Sequence, residues 1–282
     1  MTADRGDWGA LHVVAAIDSS SAAHPVVQVA RTMADVLGAP VTAVHVREPG
    51  DPSSDATWSV GVPVQLVGGD PVEALVATFA DPEVIGVIGA RDRRDDPRPA
   101  GGVAAKVIAR VTNPIVLVGP STRLPRHGRL ARVLLPLEGT AASATAVEPV
   151  AAMLGQAGVD VMVQHVFDRN TVPAFWDQGH HETESWTREF RARWCGEPVT
   201  SVTWTSGVAA DQIVASAAAE DVDMIALSWA QNASPGHAAI VKSVLANAQV
   251  PVLLVTEPDP AGLHPADVVT KDRAAAAGRE QS

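Results

Sequence analysis

The chain has 282 residues, 46% of them hydrophobic, a formal net charge of −11 and one cysteine, Cys195. The length suits two ordinary domains, and the apolar content excludes a disordered chain. The acidic balance excludes a protein that grips DNA or RNA by neutralising phosphates, and a lone cysteine excludes an internal disulfide or a multi-cysteine metal site.

No run reaches the ~18 to 20 apolar residues of a membrane span, and the opening MTADRGDWGA lacks the apolar core of a secretory signal. A cytoplasmic protein is expected, with no membrane partner. Residues 13–17 predict the first buried strand. Val26, Ala30, Met33 and Leu37 then recur at helical spacing. Further strands are expected at 41–46, 62–67 and 84–88. Asp70 before Pro71 marks a capped helix start between the last two. A helix at 104–111 and a strand at 115–118 follow. Strands apolar throughout and separated by helices predict a parallel sheet covered on both faces.

The landmarks then return. HVVAAIDSSSAA at 12–23 aligns with RVLLPLEGTAAS at 132–143, and VTAVHV at 41–46 with VMVQHV at 161–166, both at an offset of 120. NPIVLVGP at 113–120 aligns with PVLLV at 251–255 so that Pro114 falls on Pro251, at an offset of 137. Two copies of one unit explain these pairs. The expected division is 11–120 and 132–257, with an arginine-bearing linker at 121–131 and a tail at 258–282. The longer second copy holds ETESWTREFRARW, where Trp186, Phe190 and Trp194 sit four apart. That spacing predicts an extra amphipathic helix with its aromatic stripe in the core.

GARDRRDDPRPAGG, residues 89–102, joins the fourth strand to the next helix. The residues leave two readings open. It is a connection whose charges screen one another, or its glycines let backbone N–H groups approach phosphates at a helix start.

Taken together, the first strand ending in Asp-Ser-Ser or Glu-Gly-Thr, the His-Val close of the second strand, the strand-to-glycine loop and the Pro-hydrophobic-Leu-Val finish resemble a tandem universal stress protein. The resemblance covers residues 11 to 257. It implies two Rossmann-like parallel five-stranded sheets, strand order 3-2-1-4-5, with helices on both faces, paired as an internal pseudo-dimer. It also implies a non-catalytic stress-response protein that binds ATP or a related adenine nucleotide, with Mg²⁺ beside the phosphates. Asp18 would meet the adenosine, and Gly89, Ala90, Asp92, Gly101, Gly102 and Val103 would surround the phosphates. Asp92 departs from the family loop, where a glycine is usual, and Gly102 replaces a hydroxyl residue. In the second copy Glu138 replaces the acid, and Ser228, Gln231, Ala238 and Ala239 replace the loop glycines beside a bulky Trp229. No triphosphate is expected there, and that half is read as a structural partner. The alternative is a nucleotide-free scaffold acting on an unknown protein client. A homodimer of pseudo-dimers is left open.

Other constellations are weaker. Ser19, Ser20 and Ser21 with His24 lack an orienting third group and read as helix caps. His180, His181 and Glu182 match no metal-ligand spacing. A dehydrogenase would need Gly-x-Gly-x-x-Gly where DSSSAA stands. His45 and His165, equivalent in the two copies, point to a role in the fold, such as a hydrogen bond near the sheet edge; a ligand contact from His45 is left open.

Overall fold

The computed structural model describes residues 11–18, 23–47, 60–90, 102–125, 128–167, 183–196, 198–230 and 235–257. The N-terminal half runs β1 (His12–Ile17), α1 (Ala23–Leu37), β2 (Val41–Arg47), β3 (Val64–Gly68), α2 (Pro71–Phe79), β4 (Val84–Gly89), α3 (Gly102–Ile108) and β5 (Ile115–Val118). The C-terminal half runs β6 (Arg132–Pro136), α4 (Ala141–Gln156), β7 (Asp160–Phe167), α5 (Thr183–Trp194), β8 (Val199–Ser206), α6 (Ala209–Ala219), β9 (Met224–Trp229), α7 (Pro235–Asn247) and β10 (Val252–Thr256).

The strands form one ten-stranded sheet in the order β3-β2-β1-β4-β5-β10-β9-β6-β7-β8. Each half thus carries the expected 3-2-1-4-5 order, but the expectation of two separate five-stranded sheets is corrected. The halves join through β5 and β10, which pair antiparallel with Leu253 opposite Val116. The reason lies in those strands. Ile115, Val116, Leu117 and Val118 are all buried, as are Val252, Leu253 and Leu254. Neither strand can present a free edge to water without leaving a row of backbone groups and both apolar faces exposed. Pairing removes both edges at once. Because all other pairings are parallel, the carboxyl ends of the two halves point in opposite directions along the sheet.

The pairing registers repeat between the halves. Val13 faces Ile85, and Val133, 120 residues on, faces Met224. This makes Ile85 equivalent to Met224 and Gly89 to Ser228. Gly89 then faces Val118 as Ser228 faces Val255, which reproduces the offset of 137 read from the sequence.

Strand alternation sends side chains to two cores that both run through the whole sheet. One holds Val13, Ala15 and Ile17 with Val26 and Met33 of α1, Val147 and Leu154 of α4, and Phe190 of α5. The other holds Val14, Leu75 and Phe79 of α2, Val107 of α3, Ile213 of α6 and Val244 of α7. The cores differ in detail where the halves diverge. In the N-terminal half the Phe79 ring lies on Gly86, so close that an added Cβ would stand 3.0 Å from three ring atoms. The equivalent positions in the C-terminal half, Ala217 and Ile225, exchange the large and the small partner while both stay buried.

Local signals hold where they were strong. Asp70 Oδ1 accepts from the Val72 and Glu73 N–H groups at 2.9 and 3.0 Å, capping α2. In the C-terminal half Thr140 Oγ1 accepts from Ser143 N at 3.2 Å to cap α4. Gly139 before it has φ +77, a conformation that a side chain would strain. Helix α3 starts earlier than the expected 104–111, with Gly102 and Val103 as its first residues. Helix α5 follows its aromatic periodicity, with Phe190 buried and Trp194 half-buried. The inter-half segment is anchored. Arg123 N donates to Gln249 O at 2.6 Å, its guanidinium lies 3.5 Å from Asp221, and Leu130 is buried.

Candidate functional site

In a doubly wound sheet the crevice for a ligand opens at the carboxyl ends of the strands where the strand order reverses. Here that happens twice, between β1 and β4 and between β6 and β9.

At the first reversal Ala16 pairs with Ile88, so the chain leaves β1 at Asp18 and β4 at Gly89 as immediate neighbours across the sheet. Asp18 is half-buried, and Ala90 is buried with its N–H bonded to Val118 O at 2.8 Å. A Cβ on Gly89 would meet Val26 Cγ2 of α1 at 3.4 Å, so the strand end is closely packed against that helix. Helix α3 begins at Gly102, which is exposed, and a Cβ there would meet no atom of the described residues within 4 Å. Val103 beside it is 39% exposed, unusual for a valine in a covered α/β layer. Of the expected site residues, Asp18, Gly89 and Ala90 are therefore together at the strand ends. Gly102 and Val103 stand at an open helix start. Asp92 and Gly101 lie outside the described residues, as do Ser19, Ser20, Ser21, His180, His181 and Gln231.

The second reversal is built differently. A cavity of about 60 Å³ lies between the ends of β6, β7 and β9 and the helices α6 and α7. Its wall is mostly apolar, with Leu137, Val166, Ile213, Leu227 and Ile240, and one fully buried amide, Gln164. Gln164 Nε2 donates to Ser216 Oγ at 2.8 Å, Thr205 Oγ1 at 2.9 Å and Gln212 O at 3.3 Å. Its Oε1 is buried and has no hydrogen-bond partner among the described residues. Glu138, at the acid position, is exposed. Trp229 is buried at the end of β9, next to Ser228, filling the place where the N-terminal half has Ala90.

Sequence reasoning passed over Gln164. The signal was present: it interrupts an apolar strand at the position where the first copy has Val44, which is buried in the core.

The two equivalent histidines do serve the fold. His45 Nδ1 lies 3.1 Å from Ile17 O and His165 Nδ1 lies 2.7 Å from Leu137 O. Each ring ties the second strand of its half to a carbonyl at the end of the first, Ile17 the last residue of β1 and Leu137 the residue after β6. His165 is enclosed by aromatic rings, with centroids of Phe167, Phe190 and Trp204 at 4.7, 5.3 and 5.6 Å. Burial there pushes its pKa down, against the opposing pull of the Leu137 carbonyl and the Glu138 charge. Burial also pushes the half-buried Cys195 thiol up to about 11, so it stays protonated and is a poor nucleophile at neutral pH. Among the described residues no group of His, Cys, Asp and Glu is arranged to hold a metal ion, and no helix is long and apolar enough to cross a membrane.

The twofold-repeated sheet order with a reversal in each half frames the comparison with known proteins. Residues 130–256 match the model of the universal stress protein family. The match covers the half whose reversal holds the Gln164 cavity. Among solved structures, a universal stress protein from Archaeoglobus fulgidus aligns with a TM-score of 0.63 at 14% identity, over 89% of this chain and 98% of that one. A functionally unknown protein from Pseudomonas aeruginosa aligns with a TM-score of 0.61 at 13% identity, over 89% and 94% of the two chains. At such identities the likeness is one of fold, and it extends over both halves. No curated protein matches the chain.

Proposed function

We propose that the chain is two universal stress protein domains in tandem, closed into a pseudo-dimer through β5 and β10. In this reading it is a non-catalytic cytoplasmic stress-response protein whose N-terminal half binds ATP or a related adenine nucleotide. The observation that carries the reading is the bare start of α3: Gly102 is exposed, and no atom of the described residues stands where its side chain would be. A helix start without side chains lets backbone N–H groups meet phosphate oxygens directly, at the end where the helix dipole favours an anion. The residues present fit such a ligand. Asp18 at the end of β1 offers an acceptor for ribose hydroxyls, and the backbone of Gly102 and Val103 offers donors for phosphates. Asp92 is the loop carboxylate that would hold Mg²⁺. The reading assigns recognition and no catalytic residue, because the fold alone does not supply chemistry.

The C-terminal half takes no triphosphate in this reading. Trp229 is buried at its strand end, Ser228 replaces the glycine, and the cavity wall is apolar. The test is to purify the protein from cells, denature it and resolve the released small molecules by nucleotide chromatography. An adenine nucleotide is expected. Its absence, together with no thermal shift in MgATP, would replace the sensor with a nucleotide-free interaction scaffold.

A further inference from the structure

We propose that α5 is an acid-released strap: docked over β7 and β8 at neutral pH, it leaves the sheet when His165 beneath it takes up a proton. The proposal concerns the outer strands of the C-terminal half and does not rest on the nucleotide reading.

The sheet carries this helix without needing it. His165 pairs with Trp204 as His45 pairs with Leu66, so Leu66 holds in the N-terminal half the place that α5 covers in the other. Leu66 is 44% exposed, an exposed Arg47 stands where the other half has Phe167, and among the described residues no helix lies between β2 and β3. A unit of this fold therefore closes its core with that position uncovered.

Few contacts hold α5. Among its described side chains only Phe190 is buried, and Arg188, Glu189 and Arg193 are exposed. Thr187 Oγ1 accepts from Trp204 Nε1 at 3.0 Å, and the Arg191 guanidinium donates to Val199 O. Just beyond the helix, Pro198 is seated on Gly155 of α4, where a Cβ would collide with it. That contact pins the start of β8 and leaves the exposed Gly196 as the pivot. A helix of 12 residues is marginal by itself in water, so leaving the sheet means melting.

The latch is a cluster of rings. Phe190 reaches from α5 onto Trp204 and His165, with centroids at 5.0 and 5.3 Å. Phe167 and Trp204 enclose the imidazole from the strands. Gly139 and Trp194 close it from the other side: a Cβ on Gly139 would stand 3.7 Å from His165 Cε1 and 3.8 Å from Trp194 Nε1. An imidazolium there loses its water and keeps one carbonyl, Leu137 O, which Nδ1 already contacts. β8 brings no charged residue, β7 only Asp160 at its far end, and the described charges of α5 are those named above. Glu138 is the charge that acts on the ring and favours the proton, but burial outweighs it. Once the strap is off, His165 is solvated and titrates at its ordinary 6.5. Docking is therefore at full strength above pH 6.5 and weakens as pH falls below it, until the docked ring is protonated too.

Hydrogen exchange on the full chain at pH 7.5 and 5.5, read by mass spectrometry and corrected for the intrinsic rate at each pH, compares α5 with α1 in the same molecule. At pH 7.5 the α5 amides should be at least about 10-fold less protected than those of α1, since a local opening costs less than global unfolding. Between pH 7.5 and 5.5 their protection should fall by about 3- to 10-fold, ten being the most that one site with an ordinary pKa in the open state can give. His165→Gln and His165→Phe remove the proton acceptor, the second with a ring that suits the cage, and in both the fall should shrink below about 1.5-fold. Equal protection of α5 and α1 at pH 7.5 would overturn the strap, because release would then be global unfolding. A fall that is absent from the wild type or persists in the variants would overturn the latch. So would an α5 left unprotected at pH 7.5 by both variants, because the imidazole would then be a structural tie and not a switch.

Discussion

Replacing Gly102 by valine separates folding from ligand binding, because the structure assigns this residue no packing role. Its φ lies outside the left-handed region, it is exposed, and a Cβ placed on it meets no atom of the described residues within 4 Å. Glycine is the poorest helix former after proline. Valine at this first helical position should therefore change stability by between roughly zero and +0.5 kcal/mol, a melting shift within about 2 °C. The nucleotide should respond in the opposite sense. Two methyl groups at the helix start hold phosphate oxygens away from the first N–H. Losing one hydrogen bond to a charged group costs about 1.5 to 3 kcal/mol, or roughly 10- to 150-fold in affinity. Thermal unfolding without ligand and calorimetric titration with MgATP read the two effects separately. A folded variant with wild-type affinity would remove α3 from the phosphate site. A melting temperature lowered by more than about 5 °C would contradict the open surroundings that the argument starts from.

Two further outcomes test the core and the histidine. Gly86→Ala pushes a methyl into the Phe79 ring, since a Cβ there would stand 3.0 Å from three ring atoms, and should cost about 1 to 3 kcal/mol in urea unfolding. Combining Phe79→Ala with Gly86→Ile copies the Ala217 and Ile225 arrangement of the other half. It should cost at least about 1 kcal/mol less than the sum of the two single changes, and strict additivity would show that the pairs are not alternative solutions of one packing problem. For His165, burial holds the folded-state pKa below its ordinary 6.5. The unfolded chain therefore takes up the proton first as pH falls, and stability drops from about pH 6.5 downward until the folded form is protonated too. His165→Gln should be less stable at pH 7.5 yet lose less stability between pH 7.5 and 5.5 than the wild type; equal slopes would show that this imidazole is not the group responsible.

What the sequence determined by itself was whatever short-range chemistry encodes. The Asp70 cap is a side chain two and three residues from the N–H groups it satisfies. The aromatic repeat of α5 and the continuous apolar strands are periodicities of a few residues. The repeat offsets of 120 and 137 reappear in the strand registers because equivalent motifs occupy equivalent places in each half. Even the shared histidine bond could be anticipated from its repetition, although not its partner, the carbonyl 28 residues earlier.

Only the tertiary structure decided how the halves meet and what lies at their strand ends. Nothing local in IVLV or VLLV says that these two strands will pair with each other antiparallel and merge two sheets into one. That outcome follows from edges that cannot stay exposed once everything else is in place. The same holds for Gln164. In the sequence it is one polar residue in an apolar strand. Its amide is held because Gln212 and Ser216 of α6 and Thr205 of β8 converge on it from more than 40 residues away. An arrangement of this kind is a property of side chains brought together in space, and a linear pattern carries no record of which atoms meet after folding.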